Sequence, residues 1–357
     1  MAEQITDILK HFNLGLAPQP FGNGHINDTY IVPVKNSFVL QKINKNVFRD
    51  PVAVMENVKA VTDHLRGKIV AAGGDPTRET LFFIDTYDGA PYYKSDDDEY
   101  YRVYIYVDGV KSFDAAESPI QLYHAAKAFG KFQDMLADFP AARLHEVIPS
   151  FHDTVKRFGD FERSVAANPS GRAGNAAPEI AFVTERKSDC GTVVDALRSG
   201  EIPMRVTHND TKLNNVLLDD ETGEGVCVID LDTVMPGSLL YDFGDALRFA
   251  GSTGAEDEPD LSRISFDLTN FEFFTRGFIE ALPSITEREC ELLPFSVKLM
   301  TLECGMRFLA DYIDGDVYFK TAYPEHNLIR ARTQFKLVSD IEEKMDVMTD
   351  IVRNCRG

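Results

Sequence analysis

The stretch Thr207-His208-Asn209-Asp210-Thr211-Lys212-Leu213-Asn214-Asn215, together with Val228-Ile229-Asp230-Leu231-Asp232, decides how this chain is read. Between them lie the apolar Val216-Leu217-Leu218, the turn-rich Asp219-Asp220-Glu221-Thr222-Gly223-Glu224-Gly225, and the apolar Val226-Cys227-Val228-Ile229. Two short apolar runs split by a segment rich in Gly and Asp predict a β-hairpin. A hairpin is antiparallel, so the residue before its first strand ends beside the residue after its second. Asn215 and Asp230 are therefore expected side by side, with Asp210 only a short loop upstream of Asn215. Two oxygen donors at one point suit Mg²⁺, which takes hard ligands and keeps several of its waters. A free carboxylate close by suits a general base.

Working outward, residues 1–109 are strand-rich. After an amphipathic first helix, Thr29-Tyr30-Ile31-Val32 and Phe38-Val39-Leu40-Gln41-Lys42-Ile43 read as two strands joined across Lys35-Asn36-Ser37. Val52 to Leu65 is a helix candidate, with Val54, Val58, Val61 and Leu65 on one face. Strands follow near Leu81-Phe82-Phe83-Ile84 and over Tyr101 to Val107, with a solvated turn at Lys94 to Glu99 between them. Past Asp108-Gly109 the texture turns helical, with Leu122, Ala126, Phe129, Phe132 and Leu136 at helical spacing. Ala166 to Ala177 reads as a surface loop. From Phe266 onward the chain is helical again, with Pro283 and Pro294 as breaks. The expected fold class is α+β, with a small β-rich lobe over 1–109 and a larger, mostly helical lobe over 110–357 that contains the hairpin. That is a two-lobed, protein-kinase-like fold. The five-residue step from Asp210 to Asn215 is also the step of the kinase catalytic loop H-R-D-x-x-x-x-N.

Composition excludes several functions. A net charge of −20 gives no basic footprint for nucleic acid or an anionic membrane. It leaves ATP open, because metal and a few cations meet the nucleotide's charge locally. Five scattered cysteines without a Cys-x-x-Cys pair suggest a reducing, cytoplasmic setting with neither a disulfide framework nor a zinc site. The first residues carry no basic and apolar signal-peptide pattern. No apolar run approaches the roughly 20 residues of a membrane span. No G-x-x-x-x-G-K-S/T loop occurs. Gly22-Asn23-Gly24-His25-Ile26-Asn27 is not a dinucleotide fingerprint either, since a strand follows it.

The chain resembles the aminoglycoside phosphotransferase and choline kinase-like family of small-molecule kinases, and within it the bacterial N-acetylhexosamine 1-kinases. The likeness is carried by Gly22 to Asn27, Arg205 to Asn215, Ile229 to Thr233, Met235 to Ser238, and Glu303-Cys304-Gly305-Met306-Arg307-Phe308-Leu309-Ala310-Asp311-Tyr312. It implies an ATP- and Mg²⁺-dependent kinase acting on the anomeric hydroxyl of N-acetylglucosamine or N-acetylgalactosamine. Asp210 is then the catalytic base, or the group that orients the acceptor hydroxyl. Asn215 and Asp230 hold the metal. Asp232 is a second metal ligand, an acceptor contact or a support of the loop. His208 orders the catalytic loop, and Asp242 of Tyr241-Asp242-Phe243-Gly244-Asp245 braces it. Gly24 approaches the nucleotide. His25 reaches the acceptor or is a plain turn residue. Tyr106 and Val107 form the hinge that meets the purine through backbone groups.

One position departs from the kinase pattern. The phosphate-binding lysine of the third strand falls at Gln41, with Lys42 next to it. Neighbours on a strand face opposite ways, so either Lys42 is that lysine or Gln41 replaces it with a neutral contact. Glu56 stands where a lysine's partner is expected. Phe151-His152-Asp153-Thr154 and Arg307 are acceptor-side candidates, although Arg307 would also reach Asp311 one helical turn on. Kinases of choline, homoserine or aminoglycosides are the rivals in the same class. A nucleotide-binding pseudokinase is the rival outside it, and it would have lost the base or a metal ligand.

Overall fold

The structure, a computed structural model, describes residues 2–15, 17–22, 26–34 and 37–356. Helix α1 (Ala2–Lys10) precedes strands β1 (Gln19–Pro20), β2 (Asp28–Val32) and β3 (Phe38–Lys42). The segment expected to join β2 and β3 includes Lys35 and Asn36, which lie outside the described residues. Helix α2 (Pro51–Ala71) follows, then β4 (Phe83–Ile84), β5 (Tyr93–Lys94) and β6 (Tyr100–Ile105). The strands form one antiparallel sheet in the order β1-β2-β3-β6-β4, with β5 also paired to β6. Register places Gln41 directly opposite Arg102. Asp50 starts α2 by accepting from the Ala53 amide at 3.1 Å, and Pro51 sits at the first helical position. The apolar stripe continues past Leu65 to the buried Ile69, so the helix outruns its expected end.

At Val110 the chain enters a second sheet. β7 (Val110–Lys111) pairs with β9 (Val216–Asp219), which pairs with β10 (Gly225–Val228). Helices α3 (Pro119–Met135), α4 (Thr154–Ala167), α5 (Ala177–Glu185) and α6 (Thr192–Ser199) lead to β8 (Arg205–Thr207), and β11 (Met235–Gly237) pairs with β8. The remainder is α7 (Leu239–Ala250), α8 (Leu268–Glu280), α9 (Glu287–Asp314) and α10 (His326–Arg356). The hairpin lies against α3. A Cβ at Gly225 would come within 2.8 Å of the His124 carbonyl oxygen and 2.6 Å of the Ala128 Cβ, so only glycine lets β10 approach so closely.

Two expectations are corrected. The segment 166–177 is not one loop: its start finishes α4, Asn168 ends that helix in a left-handed conformation, and Ala173–Ala176 form a 3₁₀ turn. Pro294 breaks nothing and lies buried inside α9. It removes one backbone donor near the start of a 28-residue helix whose side chains are mostly buried, so packing overrides the local penalty. All five cysteines are free, and Cys227 is buried on β10. Among the described residues no helix is long and apolar enough to cross a membrane.

Candidate active site

β8 and β11 are short, but their pairing sets Thr207 opposite Met235 and frames the loop that begins at His208. That loop hangs on one carboxylate. Asp242, in the first turn of α7, accepts from the His208 amide at 2.9 Å, the Asn209 amide at 2.7 Å and Gln133 Nε2 of α3 at 2.6 Å. Complete burial raises the Asp242 pKa, although His208 and these donors pull the other way. The Asp242 carbonyl also accepts from the Thr211 hydroxyl. His208 Nε2 donates to the Ile229 carbonyl at 2.8 Å, and its Nδ1 accepts from the Asp210 amide at 3.2 Å. These two contacts assign the tautomer, and the ring packs edge-on to Phe129 and Phe132. His208 is thereby occupied in tying the loop to the hairpin.

The hairpin forms with Val216 opposite Val228, and the Ile229 amide donates to the Asn215 carbonyl at 2.9 Å. Asn215 and Asp230 therefore stand together at its open end. Asn215 Nδ2 donates to the Asp210 carbonyl at 2.8 Å and to Asp210 Oδ2 at 3.2 Å, which leaves Asn215 Oδ1 without a protein donor among the described residues. Asp230 is left-handed (φ 59°, ψ 58°), a strained state for a non-glycine residue. Its carboxylate accepts no hydrogen bond among the described residues. Desolvation, then Asp232 and Asp210, push its pKa up to about 6. Crowded carboxylates and a spare amide oxygen make the donor set a hard divalent cation prefers. Among the described residues no three His, Cys, Asp or Glu side chains form a closed metal cage. Mg²⁺ with two protein ligands requires none.

Lys212 is a residue the sequence reading left without a role. Its Nζ lies 2.8 Å from Asp210 Oδ1. Burial works against its charge, but Asp210 and Asp245 together outweigh burial and raise its pKa. A cation is thus held against the candidate base.

The nucleotide side differs from expectation. Lys42 turns outward to Glu99 at 3.5 Å. Gln41 faces the cleft, but its amide is engaged: Oε1 accepts from Arg102 Nε at 3.0 Å and Nη2 at 2.8 Å, and Nε2 donates to the Thr29 hydroxyl at 3.2 Å. Among the described residues Lys42 is paired with Glu99, and Gln41 keeps one Nε2 N–H uncommitted. Glu56 pairs with His145 at 2.6 Å and, among the described residues, not with a lysine. Asp232 is buried, with one oxygen accepting from Arg102 Nη1 and the other from Asn27 Nδ2 at 2.7 Å. Of the three roles open to Asp232, this geometry is that of a support. At the hinge the Tyr106 amide is used by Ser37 at 2.9 Å, whereas the Val107 backbone makes no hydrogen bond among the described residues. Gly24 and His25 fall outside the described residues.

On the acceptor side Arg307 does not pair with Asp311. Asp311 instead accepts from the amides of Val317, Tyr318 and Phe319 at 2.8–2.9 Å and from Asn327 Nδ2 at 2.9 Å. It thereby shapes the loop after α9. The Arg307 guanidinium sits among the rings of Phe151, Tyr318 and Phe319, 5.6–5.8 Å from their centroids, with no carboxylate partner among the described residues. Arg157 donates to the Phe151 carbonyl at 3.0 and 3.1 Å, and burial and then Arg307 lower its pKa. His152 Nδ1 contacts Glu303 Oε1 at 3.0 Å. A cavity of about 300 Å³ opens beside these residues, lined by Phe151, His152, Asn209, Pro236 and Tyr241 among others.

Residues 18–274 match the sequence model of the phosphotransferase enzyme family. Among solved structures, a microcompartment-associated aminopropanol kinase is similar at 16% identity, covering 98% of this chain and 99% of that one, with a TM-score of 0.63. A spectinomycin phosphotransferase in complex with ADP and spectinomycin is similar at 15% identity, with 97% and 98% covered and a TM-score of 0.57. The choline kinase of Cryptosporidium parvum Iowa II is similar at 13% identity, with 94% and 91% covered and a TM-score of 0.56. At these identities the structural likeness is one of fold, and the fold is the two-lobed kinase-like one.

Proposed function

The chain belongs to the phosphotransferase enzyme family and is a small-molecule phosphotransferase; from that premise we propose that it transfers the γ-phosphoryl group of ATP, with Mg²⁺, to the anomeric hydroxyl of an N-acetylhexosamine. The observation that carries the choice of acceptor is charge. Arg307 has no carboxylate partner among the described residues, burial and then Arg307 disfavour the charge of the neighbouring Arg157, and Tyr318 beside them is 71% exposed. Choline and aminoglycosides bring positive charge up to Arg307 and Arg157, whose guanidinium groups already repel each other, although Glu303 and Asp153 stand nearby. A neutral sugar brings hydroxyl and acetamido oxygens that accept from guanidinium, and a ring face that packs on an aromatic side chain.

In this mechanism the acceptor hydroxyl lies within hydrogen-bond reach of Asp210, which receives its proton as the oxygen bonds to the γ-phosphorus. The bond from that phosphorus to the β-phosphate oxygen breaks, and ADP leaves. Lys212 neutralises charge next to the base. Asn215 and Asp230 would hold Mg²⁺, which when bound offsets the charge on the phosphate oxygens. The Val107 backbone meets the purine. The nucleotide part is 1–109, since the chain joins the hairpin sheet at Val110.

The test is a panel of free sugars, amino alcohols and aminoglycosides assayed for ADP release. N-acetylhexosamines should turn over and their 1-deoxy analogues should be inert. Turnover of an amino alcohol or an aminoglycoside alone would sink the sugar assignment and leave the coarser one standing.

A further inference from the structure

Kinases that hold the β- and γ-phosphates with a lysine carry it on the third strand of the small lobe. Here that position is Gln41, and Lys42 points away to Glu99. The cation facing the cleft instead comes from the neighbouring strand. Arg102 lies directly across from Gln41 and is 2% exposed. Its guanidinium is walled by Met55 and the ring of Phe83. It spends two N–H groups on Gln41 Oε1 and one on Asp232. The other Asp232 oxygen holds Asn27, whose Oδ1 accepts from the Asn44 amide at 3.0 Å. One buried carboxylate, two residues past Asp230, thus receives the hinge strand on one oxygen and the entry to β2 on the other.

We infer that Arg102 is the positioning residue of the nucleotide site: through Asp232 it fixes the strained Asp230 turn against the small lobe, in place of a third-strand lysine. The inference rests on the nucleotide site proposed above. Two features favour it over incidental burial. A buried ion pair is expensive to desolvate and is a poor source of stability, so its value lies in fixing geometry. Gln41 also has a reason to be neutral, because a lysine there would set a second cation directly across from Arg102. A cation at Arg102 disfavours a second one at Gln41, and the cleft's cation stands on the neighbouring strand.

The test is calorimetric binding of Mg²⁺–ADP, with no sugar present, alongside steady-state kinetics of the full chain. Wild type must bind Mg²⁺–ADP; if it does not, the proposed nucleotide site itself fails. Given that binding, Arg102→Gln should weaken it by about tenfold or more, the scale of a lost charged contact. The KM for sugar should stay within about twofold. Arg102→Gln with Asp232→Asn should be no worse than the weaker single variant, since each breaks the same link. Gln41→Lys should harm wild type but recover part of the loss in the Arg102→Gln background. A folded Arg102→Gln with unchanged Mg²⁺–ADP affinity, strictly additive losses, or no recovery by Gln41→Lys overturns the inference. Should Arg102→Gln not fold, Asn27→Ala removes one arm of the link without stranding a charge. Weakening by about threefold or more supports the inference, and unchanged affinity overturns it.

Discussion

Asp230→Asn should stabilise the ligand-free protein while removing its metal-dependent nucleotide binding. Asp230 accepts no hydrogen bond among the described residues and stands beside Asp232 and Asp210, and its folded pKa is pushed up to about 6 from an ordinary 3.8. The sign follows from which state holds the proton. As pH rises from the ordinary value to the folded one, the unfolded chain releases a proton that the folded protein keeps. Stability is therefore lost across that window, and the penalty is complete above it. A shift of this size, at about 1.4 kcal/mol per unit, corresponds to about 3 kcal/mol. Asparagine keeps the shape and an oxygen but carries no charge, so it lifts the penalty. With an unfolding entropy of about 2.1 cal/mol/K per residue, a chain of 357 residues should gain about 4 °C in Tm. The assay is calorimetry of both proteins from about pH 4 to about pH 8, with and without Mg²⁺–ADP. The gain should be full at the alkaline end and fade toward the acid end, and Mg²⁺–ADP should raise the Tm of wild type alone. A variant no more stable than wild type at neutral pH, or an offset independent of pH, would refute the placement of Asp230 as a buried carboxylate crowded by Asp232 and Asp210.

Asp210→Asn should lower kcat by on the order of 10²–10⁴ while nucleotide affinity stays within a few-fold, and turnover within tenfold of wild type would remove Asp210 from the base's role. Asp242→Ala leaves the His208 and Asn209 amides and Gln133 without their buried acceptor, and should cost about 3 kcal/mol or more by denaturant titration; a loss under about 1 kcal/mol would show that the loop does not hang on this carboxylate. Arg307→Ala should raise the KM for sugar by about tenfold or more and leave the KM for ATP within about twofold, and equal effects on both would take Arg307 out of the acceptor site.

The spacing of Asp210, Asn215 and Asp230 was legible because it depends on a local device. A Gly- and Asp-rich turn between two short apolar runs has few ways to fold, and the antiparallel pairing that follows dictates which residues meet. The small sheet was legible for the same reason. Arg102 was not, because its partners Gln41 and Asp232 are distant in sequence and meet it only through strand pairing and closure of the cleft. Nor could strand alternation alone choose between Gln41 and Lys42; the structure turns Lys42 outward to Glu99.

Local rules also misled. Arg307 and Asp311 have the spacing of a helical ion pair, yet Asp311 lies in the last turn of a helix whose following loop turns three amides toward it, and the carboxylate satisfies them. Pro294 should end a helix on propensity. In α9 it is outvoted by Leu292, Leu293, Val297 and the other buried side chains that pack around it.

In the proposed reaction the Asp210 carboxylate faces the anomeric hydroxyl of a neutral sugar in line with a nucleotide phosphate. Phosphorus–proton correlated NMR of the product made from ATP and N-acetylglucosamine or N-acetylgalactosamine tests it most directly. The phosphorus resonance should couple to the anomeric proton. Coupling to a proton on any other carbon, or a phosphorylated product only from a cationic amino alcohol, would contradict it.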